Sequence, residues 1–209
     1  MIKLSKKWKN ILGGLVVFTL VSGIFAVLGT LYILYSYGRD LPDYKQLANY
    51  EPPVVSRVYA GDGSLIKEYA REKRLFVPIS AIPPKVIQAF LSAEDQNFYT
   101  HIGIDFKGLV RAVLVNVKNV ITGRRPVGAS TITQQVAKNF LLSGEVALER
   151  KIKEAILSYR IEQAFSKDQI LELYLNEIYL GQNSYGVAAA ALNYFGKSLD
   201  ELAVEEIAY

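Results

Sequence analysis

Cysteine is absent from the 209-residue chain, and histidine, tryptophan and methionine occur once each, as His101, Trp8 and Met1. Without cysteine there are no disulfides, so any globular part must rest on its apolar core. A single histidine leaves no sequence partner for a histidine-based metal set. Charge is missing altogether from Asn10 to Gly38. That run exceeds the ~20 residues that cross a bilayer, is too long for a signal-peptide apolar region and shows no small-x-small cleavage site. It reads as a retained membrane anchor. The net charge of +4 owes most to the lysines ahead of this run, so it makes no case for nucleic acid. No nucleic-acid-binding fingerprint, internal repeat or low-complexity segment is present.

What is present falls into four stretches. Residues 1–9 form a basic tail, 10–38 the anchor, 39–82 a linker with a small β-hairpin, and 83–209 a helical domain. Lys3, Lys6, Lys7 and Lys9 precede the anchor, whereas Arg39 and Asp40 follow it and cancel. The positive-inside rule then places the N-terminus in the cytoplasm and the rest on the outer side. Trp8 and the trio Tyr32, Tyr35 and Tyr37 suit the two interfacial belts. Val54–Tyr59 and Leu65–Tyr69 read as strands joined by the turn Gly61-Asp62-Gly63-Ser64, with Arg74–Ile79 as a third run that could pair with them.

From Pro83 onward the pattern is helical. Pro83 opens a helix on which Ile87, Phe90 or Leu91, and Glu94 share a face. Asp105 caps a second helix with Phe106, Leu109, Val110, Val113, Val117 and Val120 expected on the core side. The loop 122–128, rich in glycine and arginine, reads as mobile. Ser130 or Thr131 caps a helix through Phe140, and Glu145–Phe165 is a long helix with Leu148, Ile152, Ile156 and Tyr159 as its stripe. Ser166–Gln169 is a capping box opening a helix that Gly181 is expected to close. An alanine-rich helix ends at Gly196, and Ser198–Glu201 is a second capping box. The pattern is still helical at Tyr209, which reads as a fragment of a longer chain.

Four clusters carry chemistry. Glu94 and Asp95 precede Phe98, His101 and Gly103. Glu94 either stands in water at a rim or faces a partly dry pocket, where desolvation would make it a usable proton acceptor near neutral pH. Gly128-Ala129-Ser130-Thr131-Ile132-Thr133-Gln134-Gln135 crowds polar side chains at a helix start that attracts anions, with Lys138 and Asn139 following. Arg150 and Lys151 can both reach Glu154 along one helix. Tyr174-Leu175-Asn176 mostly reads as packing and caps.

This ordered series resembles the family 51 glycosyltransferases, the peptidoglycan polymerases of class A penicillin-binding proteins, over roughly Arg57 to Tyr209. Arg57-Val58-Tyr59 and Lys73–Pro78 look like the bifunctional members. Val146 departs from the pattern, standing where many members carry an arginine. The resemblance implies a mainly α, lysozyme-like glycosyltransferase domain behind a single membrane helix and a small hairpin, in the inner membrane with the catalytic domain on its periplasmic side. The implied reaction polymerises lipid II with inversion: a sugar 4-hydroxyl attacks the anomeric carbon of a donor on undecaprenyl diphosphate.

On that resemblance Glu94 is the general base and Glu154 a second catalytic carboxylate that orients cations or a divalent metal (Mg or Mn). Arg111, Ser130, Thr131, Thr133, Gln134, Gln135, Lys138, Asn139, Arg150 and Lys151 would bind the substrate diphosphate. Asp95, Phe98, His101 and Gly103 would shape the first motif. Partners implied are lipid II, the glycan strand, membrane lipid and cell-wall synthesis proteins. No penicillin-acylating Ser-x-x-Lys motif stands in the right context. A membrane-anchored glycan hydrolase of the same fold and a non-enzymatic envelope scaffold are the alternatives.

Overall fold

The structure is a computed structural model that describes residues 6–50, 56–69, 73–142 and 147–209. Lys3, Val54, Val55, Glu145 and Val146 lie outside these residues, as do the side chains of Lys6, Lys7, Trp8 and Lys9. Packing divides the chain into two units, Met1–Leu41 and Pro42–Tyr209.

The first unit is helix α1, Lys6–Gly38. At 1.5 Å per residue it is about 50 Å long, and over Leu12–Gly38 it is long and apolar enough to cross a membrane. Thr19 and Thr30 donate their hydroxyls to the carbonyls of Leu15 and Ala26, which hides the polar atoms of an otherwise apolar surface.

The second unit begins earlier than the expected boundary at residue 83. Asp43 caps a 3-10 turn at Tyr44–Asn49 and Leu47 is buried. The Tyr50 ring meets Phe140 edge-on at 4.7 Å, and its hydroxyl donates to Glu177 at 2.8 Å. Strands β1 (Ser56–Tyr59) and β2 (Leu65–Tyr69) form the expected antiparallel hairpin. The third run does not join it. Strand β3, Lys73–Arg74, pairs in parallel with β4, Ser184–Tyr185. Beyond it the amides of Val77 and Ile79 donate to Asn176 and Glu172, so side chains of a helix replace the expected strand partner.

Helix α2 spans Pro84–Glu94, α3 Phe106–Thr122, α4 Ile132–Leu141, α5 Ala147–Ala164, α6 Lys167–Glu177, α7 Val187–Phe195 and α8 Val204–Ala208. The core gathers Phe98, Ile132, Val136, Leu157, Ile161, Ile170, Leu171 and Leu175, mostly from α4, α5 and α6. The domain is mainly α, as expected.

Three expectations fail in detail. The apolar stripe of α3 is not core: Val110, Val113, Val117 and Val120 are exposed, and only Ala112 and Asn119 are buried. On α5, Leu148 and Tyr159 face solvent, while Lys153, Glu154, Leu157, Ser158 and Ile161 are buried, because this helix turns its ion pairs inward. Helix α6 stops at Glu177, four residues before Gly181. Gly181 instead serves the turn to β4 with φ +88°, where a Cβ would meet the Tyr194 hydroxyl at 2.6 Å.

Candidate active site

The site begins where α2 ends. Glu94 is the last residue of that helix, and Asp95 turns the chain inward. The buried Asp95 carboxylate accepts from His101 Nε2 at 2.9 Å and from the Ile132 amide at 3.0 Å. The Gly103 amide donates to His101 Nδ1 at 3.1 Å, which assigns the ring proton to Nε2. Gly103 has φ +95°, and a Cβ there would lie 2.7 Å from the Ser158 backbone. Phe98 is fully buried beside His101, with the Lys167 ammonium 4.6 Å from its ring centre. Asp95, Phe98, His101 and Gly103 therefore form a frame that ties the end of α2 to the start of α4 and the flank of α5.

Thr131 is the cap of α4: its hydroxyl accepts from the Gln134 amide at 3.1 Å and donates to the Gly103 carbonyl at 2.7 Å. Gln134 completes the capping box by accepting from the Thr131 amide. Thr133 donates to Glu162 at 2.6 Å, and Lys167 pairs with the same carboxylate. All three side chains are buried and committed to protein partners. Thr131, Thr133 and Gln134, expected to bind the substrate, here build the helix start. Ser130, Gln135, Lys138 and Asn139 stay accessible. Gln135 donates to the Glu94 carboxylate at 2.8 Å, and Lys138, one turn along, has no ion pair among the described residues.

On α5 the Glu154 carboxylate is only 2% exposed. One oxygen pairs with Lys151 and the other lies 3.4 Å from Arg150 Nε. Lys151 also donates to Ser130 Oγ at 2.9 Å, joining α5 to the loop before α4. The donor set does not fit a divalent cation, because both Glu154 oxygens face cations. Among the described residues no three histidine, cysteine or acidic side chains stand together.

Glu94 borders two cavities. One, of about 340 Å³, is also lined by Asp95, Asp105, Arg111 and Ser130. The other is an apolar groove of about 910 Å³ between α2, α7 and α8. The Glu94 side chain is exposed, so the rim alternative holds and the protein alone does not desolvate it. Asp105, at the head of α3, is held below its ordinary pKa chiefly by the Gly108 amide that it caps. The loop 123–128 is pinned rather than loose: Asn116 bonds the Val127 amide and carbonyl, and Asn119 donates to the Arg125 carbonyl.

The fourth cluster proves more than packing. Asn176 ties Val77 to α6 through both its amide and carbonyl. Tyr174 is fully buried against Phe90, and burial followed by the charges of Glu94 and Asp95 pushes its phenol pKa up. Its place beside Glu94 has no signal in spacing alone.

Residues 62–209 match the family model described as Transglycosylase. The chain is 61% identical over 180 residues to penicillin-binding protein 1A of Rickettsia felis, covering 86% of this chain and 23% of the relative. It is 48% identical over 181 residues to penicillin-binding protein 1A of Escherichia coli, covering 86% and 21%, and 48% identical over 194 residues to that of Aquifex aeolicus, covering 90% and 26%. The chain thus spans about a quarter of the length of the curated relatives it matches. With a match of this extent over Asp62–Tyr209, the chain belongs to the transglycosylase family.

Proposed function

We propose that the Pro42–Tyr209 unit is a peptidoglycan glycosyltransferase that polymerises lipid II into glycan strands at the membrane surface. The observation that supports this best is Lys151, which bridges Ser130 and the buried Glu154 at the edge of a cavity shared by Glu94 and Arg111. The diphosphate leaving group is a weak base and needs positive charge rather than a proton. Lys151 and Arg150, anchored by Glu154, and Lys138 and Arg111 supply that charge. The acceptor hydroxyl is a poor nucleophile. Glu94, oriented by Gln135, takes its proton as the oxygen attacks the anomeric carbon and the bond to diphosphate breaks with inversion. Bound substrate, not the protein alone, excludes water from Glu94. No metal enters any step.

The exposed apolar face of α3, flanked by Lys107, Lys118, Arg124 and Arg125, suits contact with lipid and anionic headgroups, where a substrate with a lipid tail must be met. On this reading α1 anchors the chain in the inner membrane with its N-terminus in the cytoplasm.

Glu94→Gln keeps the Gln135 side of the site and removes the base. Polymerisation of lipid II by the full chain should fall by about 10²–10⁴-fold with an unchanged thermal midpoint. Retained polymerisation would remove Glu94 from this role. Release of fragments from preformed peptidoglycan, with no polymer from lipid II, would favour the hydrolase.

A further inference from the structure

Among the described residues near the first motif, one buried side-chain hydroxyl has no hydrogen-bond partner. The Tyr174 hydroxyl is buried and has no hydrogen-bond partner, although Asp95, Thr131, Gln134 and Asn176 nearby are all paired. The other unpartnered buried atom among the described residues, Arg150 Nε, lies beside Glu154. A phenylalanine would fill the Tyr174 position without a stranded hydroxyl, which costs stability when left unmade. The hydroxyl is therefore useful in another state of the site.

Its surroundings name the acceptor. The Tyr174 ring packs edge-on against Phe90, 6.1 Å between centroids, and Phe90 sits one turn before Glu94 on α2. Glu94 and Asp95 are the two carboxylates whose charge reaches the phenol. Asp95 already accepts from His101 and the Ile132 amide, which hold it toward α4. Glu94 has one oxygen on Gln135 and the other without a partner among the described residues. We infer that Tyr174 is a positioning residue for Glu94: when substrate closes over the site, the phenol donates to the second Glu94 oxygen opposite Gln135. The carboxylate is then held from α4 and α6 at once, with its remaining lone pairs toward the acceptor hydroxyl. Burial keeps the phenol protonated, so it donates throughout the working pH range.

This inference rests on Glu94 being the base. Besides Gln135 and Tyr174, the charged groups sharing the cavities of Glu94 are Asp95, Asp105 and Arg111 on one side and Glu206 on the other. None is altered in Tyr174→Phe. A donor to a carboxylate favours its charged form, so losing it moves the acidic limb of kcat to higher pH. The full chain carrying Tyr174→Phe should polymerise lipid II with kcat lowered about tenfold, the worth of one hydrogen bond to a charged group. Its acidic limb should rise by about one pH unit, with KM unchanged and the thermal midpoint equal or higher. A wild-type rate and profile would overturn the inference, as would a rate loss that tracks a lower midpoint with an unmoved limb. Glu94→Gln separates the two failures. If it is inactive while Tyr174→Phe behaves as wild type, only the role of Tyr174 falls; if it is active, the base assignment falls and takes this inference with it.

Discussion

Glu154 is a charged side chain placed where a leucine would ordinarily sit, 2% exposed, while its partners Lys151 and Arg150 keep half and more than a third of their side chains in solvent. An exposed ion-pair ladder, the alternative reading of this helix, contributes only a few tenths of a kcal/mol per pair. A buried carboxylate instead fixes its cations in one geometry, which on the proposed reading lets the site meet a diphosphate without reorganising. Glu154→Gln should keep the volume and remove the anchor. Lipid II polymerisation is expected to fall about 10–100-fold, the worth of losing a charge-assisted hydrogen bond, which a continuous polymerisation assay would read. Asp105 makes a second single-residue case, tested by pH. Its carboxyl is held below the ordinary 3.8 by the Gly108 amide, so its ionic contribution is fully present above that value and is lost as pH falls through the lower folded one. Asp105→Asn should cost about 0.5 kcal/mol at neutral pH. The gap to wild type should close in urea titrations run well below pH 3.8, where both caps are neutral.

Elements here are joined by backbone contacts that only certain residues permit. Gly103 lets the first motif lie on α5 at 2.7 Å from Ser158, in a left-handed conformation that side chains rarely adopt. Gly103→Ala combines that strain with overpacking and should cost about 2–5 kcal/mol, measurable as a lowered midpoint in chemical denaturation. The helix starts were readable from residues alone, because a cap is a local chemical act: Asp105, Thr131 and Ser166 cap where the spacing puts them. The faces of α3 and α5 were not readable. A periodic apolar stripe tells which side of a helix is apolar, but whether that side meets core or something else depends on the partner. On α3 the stripe is left exposed by the protein, and on α5 the buried face holds Lys153 and Glu154, residues that any hydropathy pattern assigns to water. The candidate site was legible as a set of residue types in order. Its division into framing residues such as Thr131 and accessible ones such as Gln135 depends on hydrogen-bond partners up to 41 positions away. Tyr174, a buried aromatic by pattern, shows its chemical side only through neighbours on another helix.

At the scale of the whole molecule, apolar surface is found in two places that a soluble enzyme would avoid. Helix α1 exposes its apolar side chains from Leu12 to Tyr35, and α3 independently exposes Val110, Val113, Leu114, Val117, Val120 and Ile121, the last two at 80%. Neither feature alone points to a membrane: a lone apolar helix can be a processed leader, and an apolar helix face can be a protein interface. Basic groups narrow the second case, since α3 carries Lys118 and the loop after it carries Arg124 and Arg125, fixed to the helix by Asn116 and Asn119. A pinned basic loop beside an exposed apolar face matches an anionic lipid surface better than a protein groove. The consequence separates lipid contact from catalysis. Replacing Val120 and Ile121 with aspartate removes two largely exposed apolar side chains from the proposed lipid-facing surface and leaves every residue of the proposed site in place. Each is worth roughly 1.5–3 kcal/mol when buried, so polymerisation of lipid II in anionic vesicles should fall about tenfold or more. With detergent-dispersed lipid II, where the face has no bilayer to meet, the same variant should stay within about twofold of wild type. Equal losses in vesicles and detergent would mean that α3 supports the fold of the site rather than its approach to the membrane.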